Sequence, residues 1–224
     1  MNDLLYGLIL LACFVPAVVF HEVAHGYVSY RLGDPTAKMK GRLSLNPLRH
    51  VDPFGTVILP ILLAFTSGMV FGYAKPVPIN PHYYRDYRKG LLLSGLAGPA
   101  ANLALALIAG LVFRLISAGV SLAPDAAVDA FGLPLFALLM FVYVNLMLMF
   151  FNLLPIPPLD GSSIYPLFLS NEGIRKFHEF ERYSMVILFG IILLAPRVLG
   201  FSPISAYLGI TARPLLALIT GVSL

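Results

Sequence analysis

Two histidines and a glutamate near the N-terminus form the strongest chemical signal in the sequence. The run His21-Glu22-Val23-Ala24-His25 puts the histidines four residues apart, so that on a helix both rings lie on one face and reach one metal ion. Glu22 stands between them, where its carboxylate can hydrogen-bond a metal-bound water. The alternative is a hydrogen-bonded polar cluster that packs helices together. The spacing favours a zinc site.

A catalytic zinc site needs a third protein ligand and leaves the fourth position to water or substrate. The best candidate is Asp160, which follows the apolar run that ends near Leu154. Pro155, Pro157 and Pro158 stand between that run and the aspartate, and because prolines break a helix, the chain can turn the carboxylate towards the histidines. An aspartate that only caps a helix at the membrane surface is the alternative. We expect this carboxylate to complete a site for one zinc ion per chain.

The elements that carry these residues are expected to lie in lipid. Hydrophobic residues make up 58% of the 224 residues and charged residues only 12%, whereas a soluble domain carries about a quarter charged residues. Lipid must therefore surround much of the surface, and the chain has room for roughly half a dozen spans. The net charge of +4 lies mainly in loops on one side, so it indicates membrane topology and gives no reason to expect nucleic acid as a partner.

Apolar runs predict an all-α polytopic membrane protein with about five to six transmembrane helices. The runs cover about Leu4–Tyr30, Leu91–Ile116, Leu133–Leu154, Tyr183–Leu194 and Ile204–Leu224. No basic residue precedes the first run and no small-residue cleavage site follows it. We therefore expect a first membrane span there and not a removed signal peptide.

The distribution of lysine and arginine predicts which side of the membrane each loop faces. Basic residues lie after the first run, before the second and after the third, whereas the loop of residues 117–132 has none and carries two aspartates. The basic positions are Arg31, Lys38, Lys40, Arg42, Arg49, Lys75, Arg85, Arg88, Lys89, Arg175, Lys176 and Arg182. The positive-inside rule places these loops on the cytoplasmic side, and the zinc site near that side.

The stretch between the first two long helices is mixed in character. If both flanks of Gly55–Phe71 are cytoplasmic, this stretch cannot cross the membrane once, and it is too short to cross twice because each crossing needs about 20 residues. We predict a re-entrant or interfacial element, with a single short span as the alternative. The following piece, Gly72–Pro81, contains Pro76, Pro78 and Pro81, which exclude a regular helix and favour an extended or edge-strand conformation.

Three separated motifs resemble those of the site-2 proteases, the zinc intramembrane proteases of peptidase family M50. They are His21–His25, Ser94–Asn102 and Asn152–Gly161, in this order. The stretches Gly41–Pro47 and Asp52–Thr56 are similar to the short prokaryotic branch that lacks a PDZ domain. The resemblance implies a protease core with three catalytic helices in residues 1–165. Residues 166–224 would then form a cytoplasmic loop and two further transmembrane helices.

The resemblance also implies a role for each site residue. His21, His25 and Asp160 would hold the zinc, Glu22 would be the general base, and Asn102 would handle the substrate carbonyl. An asparagine amide can donate a hydrogen bond to a developing oxyanion. A link between closely packed helices is the alternative role for Asn102.

The implied function is hydrolysis of peptide bonds within or near transmembrane segments of membrane-protein substrates, as in regulated intramembrane proteolysis, in a prokaryotic cell membrane. Two other classes compete with it. A catalytically silent relative that binds a membrane partner would not need the intact histidines, Glu22 and Asp160. A metal transporter would show ionisable residues on several spans and an internal repeat, and the sequence has no convincing repeat. Nothing in the sequence indicates an oligomeric state.

Overall fold

The computed structural model describes residues 3–52, 58, 75–121 and 124–222, and regular structure in these ranges is helical. The helices are α1 (Asp3–Arg31), α2 (Thr36–Met39), α3 (Tyr87–Ser121), α4 (Pro124–Asn152), α5 (Tyr165–Phe168), α6 (Asn171–Glu181), α7 (Ser184–Leu199) and α8 (Pro203–Thr220). Short 3-10 turns cover Pro47–Arg49, Pro81–Tyr83 and Asp160–Ile164. The predicted all-α architecture is confirmed. The predicted re-entrant element, Gly55–Phe71, lies outside the described residues except for Ile58.

Four described helices are long and apolar enough to cross a membrane: Leu4–Arg31, Tyr87–Gly119, Gly132–Asn152 and Pro203–Thr220. The pair α6 and α7 is bent by 57° and adds a fifth crossing if it is counted as one span. Leucine, isoleucine and phenylalanine side chains on the outer faces of these helices are exposed, as expected of surfaces that meet lipid. The chain is a multi-pass membrane protein.

The core is formed by α1, α3 and α4, which pack against one another, and α8 covers one side of α4 and α3. Val142 and Leu146 of α4 and Leu216 of α8 are completely buried at the centre of this cluster. Arg114 of α3 caps the C-terminal end of α8. Its Nε donates to the Ile219 carbonyl at 2.7 Å, and its Nη2 donates to the Leu218 carbonyl at 2.6 Å. A cation at a helix C-terminus satisfies carbonyls that have no partner within the helix.

The segment Lys75–Asn80 is neither helix nor strand in the structure, and side chains outside it hold both of its ends. Arg42 donates from Nη2 to the carbonyls of Lys75 and Pro76 at 2.7 and 3.3 Å, and the Lys75 N–H donates to the His50 carbonyl at 2.8 Å. At the other end, the Asn80 N–H donates to Oδ2 of Asp34 at 2.7 Å. Over residues 75–80, the described part of this stretch before Pro81, the backbone forms no regular helix, as the prolines predict, and a 3-10 turn begins at Pro81.

Asp34 is the buried polar hub at the C-terminal end of α1. Its carboxylate accepts from Ser29 Oγ at 3.0 Å, from the Thr36 N–H at 2.9 Å and from the Thr36 hydroxyl, in addition to Asn80. Burial favours the neutral form of this carboxyl, but the hydrogen bonds from Asn80, Thr36 and Ser29 outweigh it and hold the pKa of Asp34 below its ordinary value. The hub ties the Lys75–Asn80 segment to the helix that carries the two histidines.

Candidate metal centre

Helix α1 positions both histidines of the central motif on the face that packs into the core. His21 and His25 are one turn apart, each only 7% exposed, and their Nε2 atoms lie 3.0 Å apart. The rings meet edge to face, with centroids 4.6 Å apart and an interplanar angle of 81°. The i, i+4 spacing therefore brings two nitrogen ligands to one point, as the sequence predicts.

Asp160 reaches the same point from the far end of α4. That helix ends at Asn152, the proline-rich stretch after it turns back, and Asp160 is the first residue of the following 3-10 turn. Its Oδ2 lies 3.1 Å from Nε2 of His21 and 3.3 Å from Nε2 of His25. The three residues predicted as ligands are thus brought together, and among the described residues they are the group of histidine, cysteine and acidic side chains that can hold a metal ion.

The hydrogen bonds behind the histidine rings determine which nitrogen carries the proton. His21 Nδ1 lies 2.6 Å from Oδ1 of Asn102, and His25 Nδ1 lies 2.6 Å from the carbonyl oxygen of Ser94. Both partners can only accept, so each Nδ1 must carry a hydrogen, and in neutral rings each Nε2 presents a lone pair. Oδ2 of Asp160 is buried and accepts no conventional hydrogen bond. Three lone-pair atoms therefore converge, an arrangement that a cation stabilises.

The spacing of these atoms fits zinc. In tetrahedral coordination with bonds of about 2.0–2.1 Å, neighbouring ligand atoms lie about 3.3 Å apart. The three observed separations are 3.0, 3.1 and 3.3 Å. Two imidazoles and one carboxylate form a donor set that catalytic zinc sites use, with one position left for water or substrate.

Glycines on α3 allow that helix to pass directly against the ligands. A Cβ atom at Gly98 would collide with Nε2 of His25 and would lie 2.6 Å from Nε2 of His21. A Cβ atom at Gly95 would collide with the side chain of Ser163 and lie 3.3 Å from the carbonyl of Asp160. The small-residue face of α3 is therefore part of the site, because a side chain at Gly98 would push against both histidines and one at Gly95 against the turn that carries Asp160.

The Lys75–Asn80 segment contacts the glutamate of the motif. The Val77 N–H donates to Oε2 of Glu22 at 2.8 Å. The Val77 side chain is buried against α1, where a Cβ atom at Gly26 would lie 2.7 Å from Val77 Cγ1. Glu22 is thus oriented by a main-chain donor from a segment that lies outside the helical core.

Asn102 lies behind the ligands in this structure. Its Oδ1 faces His21, and its Nδ2 donates to the Ala17 carbonyl at 3.2 Å and to Oδ1 of Asn145 at 2.9 Å. Both amide hydrogens are therefore engaged with protein atoms, and the predicted donation to a substrate oxyanion would require one of them to be released. Asn145, Ser94 and Val77 were not predicted as site residues, although Ser94 begins the motif Ser94–Asn102. Of the three, Asn145 could have been found from the sequence, because a polar residue within a predicted membrane span is a candidate functional residue.

Comparisons with known proteins agree with this chemistry. The model of Peptidase family M50 matches residues 116–195. The chain is 38% identical over 189 residues to "Putative zinc metalloprotease YwhC" of Bacillus subtilis (strain 168), covering 84% of this chain and 80% of that protein. It is 30% identical over 213 residues to "Putative zinc metalloprotease Rip2" of Mycolicibacterium smegmatis, covering 90% of this chain and 76% of that protein. No solved structure matches the chain significantly.

Proposed function

Because the chain belongs to peptidase family M50, we propose that it is a zinc-dependent intramembrane protease, which hydrolyses peptide bonds within or near transmembrane segments of membrane-protein substrates. The observation that carries the proposal is the convergence of Asp160 on His21 and His25, which lie on a helix that is long and apolar enough to cross a membrane. A zinc site in that position serves a reaction carried out on a substrate that is itself in the bilayer.

Each residue of the site has a part in the proposed hydrolysis. A zinc ion held by the two histidines and Asp160 would lower the pKa of a bound water and polarise the peptide carbonyl. Glu22 takes the proton of the attacking water and later gives it to the leaving amine. The Val77 N–H already donates to Oε2 of Glu22, so the other carboxylate oxygen, Oε1, is the one that accepts the proton. Asn102 holds the proton on Nδ1 of His21 and leaves Nε2 for the metal.

The substrate class follows from where the site lies. A transmembrane helix hides its peptide bonds in hydrogen bonds between residues i and i−4, so a substrate must unwind locally before attack. Substrates with helix-breaking residues near the cleavage point are favoured because less free energy is needed to unwind them. About 17 residues of the first span precede His21, so at a rise of 1.5 Å per residue His21 lies about 25 Å into a hydrocarbon core of about 30 Å. With the basic loop after Arg31 in the cytoplasm of a prokaryotic cell, cleavage takes place near the cytoplasmic face of the cell membrane.

Replacement of the general base tests this function. Purified Glu22→Gln protein in liposomes should keep its zinc and lose cleavage of a co-reconstituted membrane protein with one transmembrane helix. The wild type should release two fragments whose termini, read by mass spectrometry, lie within or next to that helix. A Glu22→Gln protein that cleaves as fast as the wild type would contradict the assignment. A wild type that binds zinc but cleaves no transmembrane substrate would favour the silent relative.

A further inference from the structure

We propose that Asn145 is a positioning residue for the metal centre, and that it acts through Asn102 on the ring of His21. The inference rests on the proposed zinc site and extends it beyond the groups that touch the metal. Asn145 lies on α4, Asn102 on α3 and His21 on α1, so the relay joins all three core helices. Both asparagines are completely buried, at 0% exposure.

The relay is a continuous chain of short hydrogen bonds. His21 Nδ1 donates to Oδ1 of Asn102 at 2.6 Å, and Nδ2 of Asn102 donates to Oδ1 of Asn145 at 2.9 Å. Nδ2 of Asn145 donates to the Phe141 carbonyl at 2.8 Å. Buried polar groups of this kind are costly when they lack a partner, so each bond depends on the next.

Two main-chain carbonyls fix the direction of the relay. Nδ2 of Asn102 faces the carbonyl of Ala17, and Nδ2 of Asn145 faces the carbonyl of Phe141. Rotating either amide by half a turn would place its oxygen against a carbonyl oxygen, which is repulsive. The amide of Asn102 must therefore present oxygen to His21, and the imidazole must carry its proton on Nδ1. The Phe141 carbonyl therefore orients Asn145, Asn145 orients Asn102, and Asn102 leaves Nε2 of His21 without a hydrogen and free to bind the metal.

The two histidine ligands differ in how they are held. His25 donates to the main-chain carbonyl of Ser94, which no side-chain substitution removes. His21 instead donates to a side chain, Asn102, whose amide is held by the Ala17 carbonyl at 3.2 Å and by Asn145 at 2.9 Å. Loss of Asn145 leaves one amide hydrogen of Asn102 without its acceptor in a buried site, and only the longer bond to the Ala17 carbonyl then holds the amide in place for His21. The effect should fall on His21 and leave His25 in place.

Two substitutions of Asn145 separate the relay from packing. Asn145→Leu keeps the volume and removes the acceptor. Asn145→Ser offers a hydroxyl that can donate to the Phe141 carbonyl, as Thr211 and Thr220 do to the carbonyls four residues before them, at 2.7 and 2.8 Å. A serine side chain is shorter by one bond, so its hydroxyl can pair with the Phe141 carbonyl but cannot reach the amide of Asn102. Val142→Ala, one turn away on α4 and also at 0% exposure, is the packing control.

The experiment measures zinc affinity of the purified full-length protein by competition with a chromogenic chelator, together with its melting temperature. We expect both Asn145 variants to bind zinc about 10–100-fold more weakly than the wild type, the range typical of lost outer-shell partners. Val142→Ala should melt at a lower temperature with unchanged zinc affinity. The visible spectrum of the Co²⁺-substituted protein should shift in Asn145→Ser and stay the same in Val142→Ala, because only the former lets the His21 ring rotate.

The possible results distinguish the relay from the site itself. Wild-type zinc affinity in Asn145→Ser would overturn the relay, even if Asn145→Leu fails to fold. Equal losses of affinity in Val142→Ala and Asn145→Ser would also overturn it, since packing would then explain both. A wild type that binds neither zinc nor cobalt would reject the proposed metal centre, a separate outcome that the wild-type titration alone reveals.

Discussion

The main-chain N–H of Val77 donates to the carboxylate of Glu22 at 2.8 Å, and this bond connects the proposed general base to a segment outside the helical core. Arg42 and Asp34 hold the two ends of that segment. The orientation of Glu22 therefore depends on contacts made by residues that are not themselves metal ligands. The edge-strand role predicted for this segment stays a prediction, and the Val77 N–H is already engaged within the protein.

Val77→Pro should slow cleavage by about 10-fold or more without loss of zinc. Proline has no N–H, so Oε2 of Glu22 loses its donor and the carboxylate is no longer held in place for proton transfer. Cleavage rate and zinc content are measured on the same preparation. Val77→Ala is the matched control, since it keeps the N–H and shortens only the side chain. Equal rates in the proline and alanine variants would contradict the role of this bond.

Ile79→Pro tests the edge-strand hypothesis separately from Glu22. This substitution leaves the Val77 N–H in place and removes a main-chain donor two residues further on. If an unwound substrate pairs with the segment, the KM for a transmembrane substrate should rise while zinc content and kcat change little. A KM equal to that of the wild type would count against strand pairing at this position.

Gly98→Ala should abolish zinc binding while the helices remain folded. The added methyl group collides with His25 Nε2 and lies against His21, so the rings must rotate or α3 must move away. Zinc content and far-ultraviolet circular dichroism measure the two effects. Gly119→Ala is the control on the same helix, because no atom lies within 4 Å of a Cβ there. Full zinc in Gly98→Ala would mean that α3 and the ligands are further apart than the structure shows.

Asp34→Asn should lower the stability of the folded protein at neutral pH. The pKa of Asp34 is held below its ordinary value, so its contribution is fully present above an unfolded-state pKa of about 3.9 and is lost as the pH falls through the lower folded-state pKa. We expect a loss of about 1–3 kcal/mol at pH 7, because an amide nitrogen would face buried donors. The difference from the wild type should shrink below about pH 4.

Melting temperatures measured between pH 7 and pH 3 check this dependence. Glu172→Gln is the control, since Glu172 is exposed and pairs with Lys176 across 2.8 Å at the surface. Such pairs contribute little to stability. A constant difference between wild type and Asp34→Asn over the whole range would show that the charge of Asp34 does not matter.

Several parts of the site were predictable because local rules determine them. The spacing of His21 and His25 dictates one helix face, and the prolines before Asp160 dictate the break that turns it back towards α1. The start of α4 was less accurate: the apolar run begins at Leu133, whereas the helix begins at Pro124. Hydropathy marks the part of a helix that suits lipid, while main-chain hydrogen bonds continue into polar sequence.

The remaining parts depend on how distant segments meet. Val77 contacts Glu22 across 55 positions of sequence, and Asn102 contacts Asn145 across 43. No spacing in the sequence predicts either contact, because tertiary packing alone brings the two residues of each pair together. The Ser94 carbonyl that holds His25 cannot be read from side-chain type at all, since every residue has one.

The most direct test of the account is the zinc content of the detergent-purified protein, measured for the wild type, His25→Ala and Asp160→Ala. We expect close to one zinc ion per wild-type chain and a loss of most of it in both variants, since each removes one of the three converging ligands. Circular dichroism should show that both variants keep their helices. A wild type without zinc after purification and reloading, or full zinc in both variants, would contradict the metal centre described for this chain.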